Sequence, residues 1–330
     1  MDSVEVSFPG LGWIFHVSPV AFKIGSFEVY WYGLIISLGM VLCVALALRH
    51  AQANKFSKDL VYDILLVSLP SALIGARLYY VICEWDYYSK DFSKIFDTRG
   101  GGLAVYGGIA GAFIGAFIML RLRKIPYSTC ADYCIPYIPL GQAIGRWGNF
   151  FNQEAFGTTT KLPWGMTSAT IQSYLSSNCP NLDSNMPVHP TFLYESIWDL
   201  IMFFILLKVR KHSKRPFETL CVYMIGYGFV RFLIEGLRTD SLYIGHTNIR
   251  TSQALSMILV FFGLIYIIYI HYKETARLPL PAKCFAAEES RAAAAAADTK
   301  SETETEAGAD AEVVAEASSE ELSSEEAKTE

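Results

Sequence analysis

Apolar residues run almost without interruption through seven stretches, at about 30–49, 60–82, 101–121, 130–151, 190–209, 217–237 and 251–271. Each is long enough, or nearly so, to cross ~30 Å of hydrocarbon as a helix. The fourth contains Pro136 and Pro139, which predicts a broken or partly re-entrant segment, tolerable only where protein covers the freed backbone groups. Gly107, Gly111 and Gly115 recur every four residues, as do Gly141 and Gly145. Small residues at that spacing let helix backbones approach closely in lipid, so they are read as packing positions. The expected fold is an all-α polytopic membrane protein of about seven transmembrane helices.

The loops set the expected orientation. Basic residues gather at Arg49, Lys55 and Lys58, at Arg121, Arg123 and Lys124, at Lys208, Arg210, Lys211, Lys214 and Arg215, and at Lys273, Arg277 and Lys283. The long loop 152–189 holds one basic residue, Lys161. The positive-inside rule then predicts an external N-terminus and a cytoplasmic C-terminus. The loop at 83–100 is of mixed charge and does not oppose this.

Composition agrees with a membrane chain. Only 18% of the 330 residues are charged, below the quarter or so of soluble domains, and mean hydropathy is +0.29. From about Ala282 the sequence turns to Ala, Glu, Ser and Thr. Such a segment has too little apolar surface to offset its ordering entropy, so residues 282–330 are expected to form a disordered cytoplasmic tail beyond a membrane unit at 1–281. Much of the net charge of −5 sits in that tail, so the acidic balance says little about partners. The seven cysteines lie mostly in or beside apolar segments, where cysteine behaves as a small hydrophobe. Cys130 and Cys134 lack the spacing and histidines of a zinc site, and no metal or cofactor is expected. No basic segment followed by an apolar core opens the chain, so no cleaved signal peptide is expected.

With that orientation, six spans aim polar groups at one leaflet. Tyr30 and Tyr32 stand at the outer end of span one, Arg77 of span two and Tyr106 of span three. Arg146, Asn149, Asn152 and Glu154 close span four. His189 and Glu195 open span five, and Arg231, Glu235 and Arg238 end span six. Singly, each has an ordinary explanation: arginines snorkel to headgroups, tyrosines form interfacial belts, and Arg231 with Glu235 at i, i+4 makes a structural ion pair. Together they describe a site, because charge inside a membrane is costly and is kept for function or pairing. Arginine binds phosphate through a planar fork and keeps its charge, so the layer suits an anionic phospholipid entering sideways from the outer leaflet. A lipid or solute transporter would also use membrane arginines, but would more often show inverted repeats and polar groups near the midplane. A seven-span receptor would not need so many arginine–carboxylate combinations. No nucleic-acid partner is expected.

The segment GRWGNFFNQEAFG at 145–157 resembles the signature of the prolipoprotein diacylglyceryl transferase family, bacterial inner-membrane enzymes that lipidate lipoprotein precursors. The resemblance extends over most of residues 20–271. WYGLIISLG, GARLYYVI and GGLAVYGGIAGAFIG resemble the first three spans, HPTFLYES and GYGFVRFLIEGLRTD the later catalytic elements, and TSQALS the start of the seventh span. It implies transfer of the diacylglyceryl group of phosphatidylglycerol to the lipobox cysteine of a prolipoprotein signal peptide, with glycerol phosphate leaving. It implies essential roles for Arg146 and Arg231, and supporting roles at Tyr32, Asn149, Glu154, Tyr227, Glu235 and Gly157. Arg238 joins the headgroup-binding set, with Arg77, His189 and Glu195 as further support. It also implies a multi-pass protein of the bacterial cytoplasmic membrane whose active site faces the outer leaflet. One departure stands out: where many members have a histidine before the glycine pair of the third span, this chain has Tyr106-Gly107-Gly108. A tyrosine of pKa ~10 is a poor base at neutral pH. The thiol's proton acceptor is left open among Tyr106, Glu154 and the departing phosphate.

Overall fold

The structure, a computed structural model, describes residues 3–97, 101–244, 247–285 and 289. The expected tail at 282–330 lies almost wholly outside them. The chain does not begin with a helix. Strand β1 (Val4–Phe8) pairs antiparallel with β2 (Trp13–Val17) on one edge and with the short β5 (Thr167–Ser168) on the other. A hairpin of β3 (Val20–Ile24) and β4 (Phe27–Tyr30) then leads directly into the first helix. The all-α expectation is corrected accordingly. Val4, Val6 and Phe8 alternate with polar residues at the period of a strand. Gly12 and Gly25 supply the left-handed backbone, at φ +68° and +61°, that the connecting turns require.

Ten helices follow among the described residues: α1 (Trp31–Ala51), α2 (Lys58–Cys83), a single turn α3 (Trp85–Tyr88), α4 (Val105–Leu122), α5 (Tyr127–Cys134), α6 (Tyr137–Asn152), α7 (Ala169–Asn178), α8 (Thr191–His212), α9 (Glu218–Leu237) and α10 (Thr251–Tyr272). Five of them, α1, α2, α4, α9 and α10, are long and apolar enough to cross a membrane. Their large side chains are widely exposed, as suits a lipid-facing surface. The chain is a mostly helical, polytopic membrane protein.

The fourth and fifth expected spans differ from these five. The fourth is divided: α5 stops before Ile135-Pro136, and α6 has 16 residues, about 24 Å at 1.5 Å per residue. Proline's missing N–H interrupts the hydrogen-bond ladder there, while Ile135 and Pro136 themselves keep right-handed helical angles. Helix α8 carries Glu195 and Asp199 in its first half and Lys208, Arg210 and Lys211 in its last turns, which dilutes its apolar character. The third span starts at Val105 rather than 101, because Gly101 and Gly102 sit at φ +93° and +77° outside the helix.

Helix α2 packs on α4, and α1 on α6, α6 on α8, α8 on α9 and α9 on α10. Glycines set the first contact: side chains at Gly75, Gly107 or Gly111 would run into the facing backbone or side chains, and one at Gly115 into Ser71. Gly141 meets Cys43 of α1, whereas Gly145 faces open space. Two apolar cores lie at opposite ends of the bundle. One joins Ala47, Leu60, Leu120, Tyr133, Leu140 and Phe203 near the basic loops. The other joins Val6, Phe8 and Val17 of the sheet to Phe150, Ile171, Val188 and Phe192. The polar residues of α6, α8 and α9 meet toward this second core.

Candidate active site

Three helices build the centre of the site. Glu195, one turn into α8 and 4% exposed, takes a guanidinium on each carboxylate oxygen: Arg146 of α6 on Oε2 and Arg231 of α9 on Oε1. The second arm of Arg231 reaches Glu235 Oε2 at 2.7 Å. The result is an alternating chain, Arg146–Glu195–Arg231–Glu235, with two positive and two negative charges. Each buried charge is paired, which is what makes its removal from water tolerable.

Hydrogen bonds beside Glu195 fix the rotation of α8. Ser196 Oγ donates to the Ala143 carbonyl of α6 at 2.8 Å, and Trp198 Nε1 donates to the Gly226 carbonyl of α9 at 3.0 Å. Helices α6 and α9 are joined in turn by Tyr223 Oη, which donates to Gln142 Oε1 at 3.1 Å. Tyr223 stacks on Tyr227 with ring centroids 5.4 Å apart, and Tyr227 lies within electrostatic reach of both arginines. Tyr32 of α1 lies against α6 at Gly148, where a Cβ would come within 2.6 Å of its ring. Only glycine lets that tyrosine approach the segment between Arg146 and Asn149.

The segment after Arg146 folds back tightly. Helix α6 ends on Gln153 in the left-handed region at φ +53°, and Ala155 repeats that conformation at φ +59°. The turn directs Glu154 to the side, where Asn149 and Asn152 donate to its Oε1 at 2.9 and 3.3 Å. Gly157 then passes between two other segments: its N–H donates to the His189 carbonyl at 2.9 Å, and it bridges to Arg238. A Cβ on Gly157 would stand 2.8 Å from that of His189.

His189 Nδ1 lies 3.1 Å from Tyr194 Oη, which also accepts from Trp164 Nε1 at 2.8 Å. Burial lowers the imidazole's pKa. Arg238 holds Asp240 in a two-pronged bridge of 2.9 and 2.7 Å. Desolvation works against charge on Asp240, but the Arg238 hydrogen bonds outweigh it and hold the carboxyl below its usual range.

Two expected site residues make no hydrogen bond to this network among the described residues. Arg77 is buried, and its donors are spent on the carbonyls of Lys94, Ile95, Asp97, Gly101 and Gly102. It organises the loop between α2 and α4. Tyr106 sits exposed at the start of α4, and among the described residues no hydrogen bond links it to the arginines. Three further residues escape the sequence reading. Arg250 donates to the carbonyls of Glu235 and Arg238 at the end of α9, and Asp240 binds Arg238. Asp199 lies one turn below Glu195, 1% exposed. Its signal was available: in YESIWDL, Glu195 and Asp199 are i, i+4 and share a helix face.

Comparison with known proteins places this geometry in context. A family model described as prolipoprotein diacylglyceryl transferase matches residues 19–269. A phosphatidylglycerol–prolipoprotein diacylglyceryl transferase of Finegoldia magna is 44% identical over 256 residues, 77% of this chain and 96% of the relative. The protein of that name from Clostridioides difficile is 41% identical over 255 residues, 77% and 96% of the two chains. The one from Listeria monocytogenes is 42% identical over 264 residues, 78% and 91% of the two chains. With a match over most of its length and the motif-bearing segments inside it, the chain belongs to the prolipoprotein diacylglyceryl transferase family.

Proposed function

We propose that Arg146 and Arg231, linked through Glu195, hold the phosphate of the lipid donor in this transferase. The enzyme moves the diacylglyceryl group of phosphatidylglycerol to a prolipoprotein, the reaction named for its relatives. The observation that carries the assignment of the site is the shared glutamate. Two arginines from different helices converge on one carboxylate, an arrangement that a phosphodiester, with two non-bridging oxygens sharing one negative charge, can take over.

The acceptor is the thiol of the lipobox cysteine in the signal peptide. Its thiolate attacks the glycerol carbon that carries the phosphate ester. A carbon–sulfur bond forms, the carbon–oxygen bond breaks, and the electron pair leaves on glycerol phosphate. Negative charge grows on that phosphate in the transition state, where preorganised guanidinium forks stabilise it. Cationic surroundings also favour the thiolate. The thiol proton ends on the departing phosphate. Glu154, exposed and accepting from two asparagine amides, is the intermediate carrier in this reading, ahead of Tyr106. Tyr32, Tyr227, Asn149, Gly157, Glu235 and Arg238 shape and orient the headgroup pocket.

The protein crosses the bacterial cytoplasmic membrane seven times in this reading, with α6 and α8 as the additional spans. Its N-terminus is outside, its basic loops are inside, and the site opens to the outer leaflet. Loop 152–189 covers the site and guides the signal peptide. Residues 1–281 form the catalytic unit and the 282–330 tail is dispensable for chemistry. The test is mass spectrometry of a lipobox peptide incubated with purified protein and phosphatidylglycerol. A peptide gaining one diacylglyceryl thioether, and a Cys-to-Ser peptide gaining nothing, is the expected result. An unmodified cysteine peptide with correctly folded protein would refute the reading.

A further inference from the structure

We propose that Asp199 accepts hydrogen bonds from the free glycerol hydroxyls of the lipid headgroup and so sets the donor specificity of the site. The proposal rests on the reading that Arg146 and Arg231 bind the donor's phosphate. Asp199 is 1% exposed, and its Oδ2 meets no donor among the described residues. A buried acceptor left without a donor is costly, and native folds seldom keep one without a use. Tyr227 also lies within electrostatic reach, yet no neighbouring side chain donates to Asp199 Oδ2 among the described residues. Arg146 and Arg231, both within electrostatic reach of Asp199, are engaged by Glu195 and Glu235. The nearby Tyr223 hydroxyl gives its proton to Gln142. In this proposal the donor comes from the ligand.

The placement fits the headgroup. Asp199 follows Glu195 by four residues on the same face of α8, about 6 Å along the helix. With the phosphate at the level of Glu195, the headgroup glycerol, attached through the next ester oxygen, extends over a comparable distance. The two oxygens of Asp199 can meet the two free hydroxyls of a glycerol headgroup. The hydrogen bond from Trp198 to the Gly226 carbonyl, on the residue next to Asp199, keeps this face turned into the bundle.

The test compares phosphatidylglycerol with phosphatidylpropanol of identical acyl chains, which lacks both hydroxyls. Full-length protein in detergent and a lipobox peptide are used, for the wild type, Asp199→Ala and Asp199→Asn. The wild type should prefer phosphatidylglycerol in kcat/KM by roughly tenfold or more, the range expected when hydrogen bonds to a buried acceptor are lost. In Asp199→Ala the ratio should fall to near one, largely through loss of rate on phosphatidylglycerol, and in Asp199→Asn it should fall substantially. Equal use of the two lipids by the wild type would overturn the proposal without any variant, so it stays testable even if Asp199→Ala does not fold. A preserved ratio in a folded variant, with both rates reduced alike, would make Asp199 a packing residue. Failure of the wild type to use either lipid would instead remove the phosphate-site reading beneath it.

Discussion

Arg231 and Glu195 are 36 residues apart in sequence and joined side chain to side chain, with Arg231 Nη1 donating to Glu195 Oε1. The same guanidinium uses its other arm on Glu235, so its plane is fixed by two carboxylates before any substrate arrives. A point charge on a flexible stem could not be held this way. Arg231→Lys should therefore lower kcat/KM by about 100- to 1,000-fold, equivalent to ~3–4 kcal/mol of transition-state stabilisation, although the charge is kept. Steady-state release of glycerol phosphate checks this, and near wild-type turnover would exclude the bidentate role.

Removing the shared carboxylate should act first on stability. Glu195→Ala leaves Arg146 and Arg231 facing each other without their common counterion, and breaking a buried pair of this kind costs about 3–5 kcal/mol. A thermal unfolding scan in detergent should show a marked fall in Tm. Glycerol phosphate, binding where the carboxylate was, should restore part of it. An unchanged Tm would mean the network carries no structural weight.

Arg77 should behave differently from the site arginines. It gathers five carbonyls of the loop between α2 and α4, so Arg77→Ala should open residues 84–97 and 101–104 to protease. Cleavage mapped by mass spectrometry is the readout. Unaltered protection of that loop would show that its order comes from elsewhere.

The turn after α6 carries stored backbone strain at Ala155, φ +59°. Ala155→Gly relieves it and should raise stability by up to about 1 kcal/mol. Gly157→Ala should do the reverse, since its Cβ would crowd that of His189 at 2.8 Å. Paired unfolding scans of the two variants decide, and a rise in both or a fall in both would contradict the turn's geometry.

His189 provides the pH dependence. Burial lowers its pKa below the ordinary value, so the folded state favours the neutral ring. Its contribution is present above the unfolded pKa of about 6.5 and is lost as pH falls through the lower folded value. Wild-type Tm should thus drop more steeply than that of His189→Gln on acidification below about pH 6.5. Parallel pH profiles would show that His189 does not titrate with folding.

Much of this was legible from the chain and some was not. The membrane character followed from apolar length, and the break at Ile135-Pro136 from proline chemistry. The sequence assigns polar residues of six spans to one layer because alternate spans run in opposite directions, and those of α6, α8 and α9 meet in the structure. Their partners could not: nothing in the local sequence says that Glu195 serves both Arg146 and Arg231, since that depends on how α6, α8 and α9 are rotated. Arg77 looked like its neighbours in the layer and proved to be a loop organiser, a role set by carbonyls contributed from residues 94–102. The N-terminal strands carried a period-two pattern that the long apolar spans overshadowed. Asp199 was missed beside a more conspicuous glutamate.

The most direct test of the central claim, that the arginines hold the donor's phosphate, is glycerol phosphate release by purified protein given phosphatidylglycerol and a lipobox peptide. Wild type and Arg146→Ala would be assayed side by side, each with the cysteine peptide and its serine counterpart. The expected result is release that requires both Arg146 and the cysteine. Release by Arg146→Ala at the wild-type rate would contradict the phosphate site.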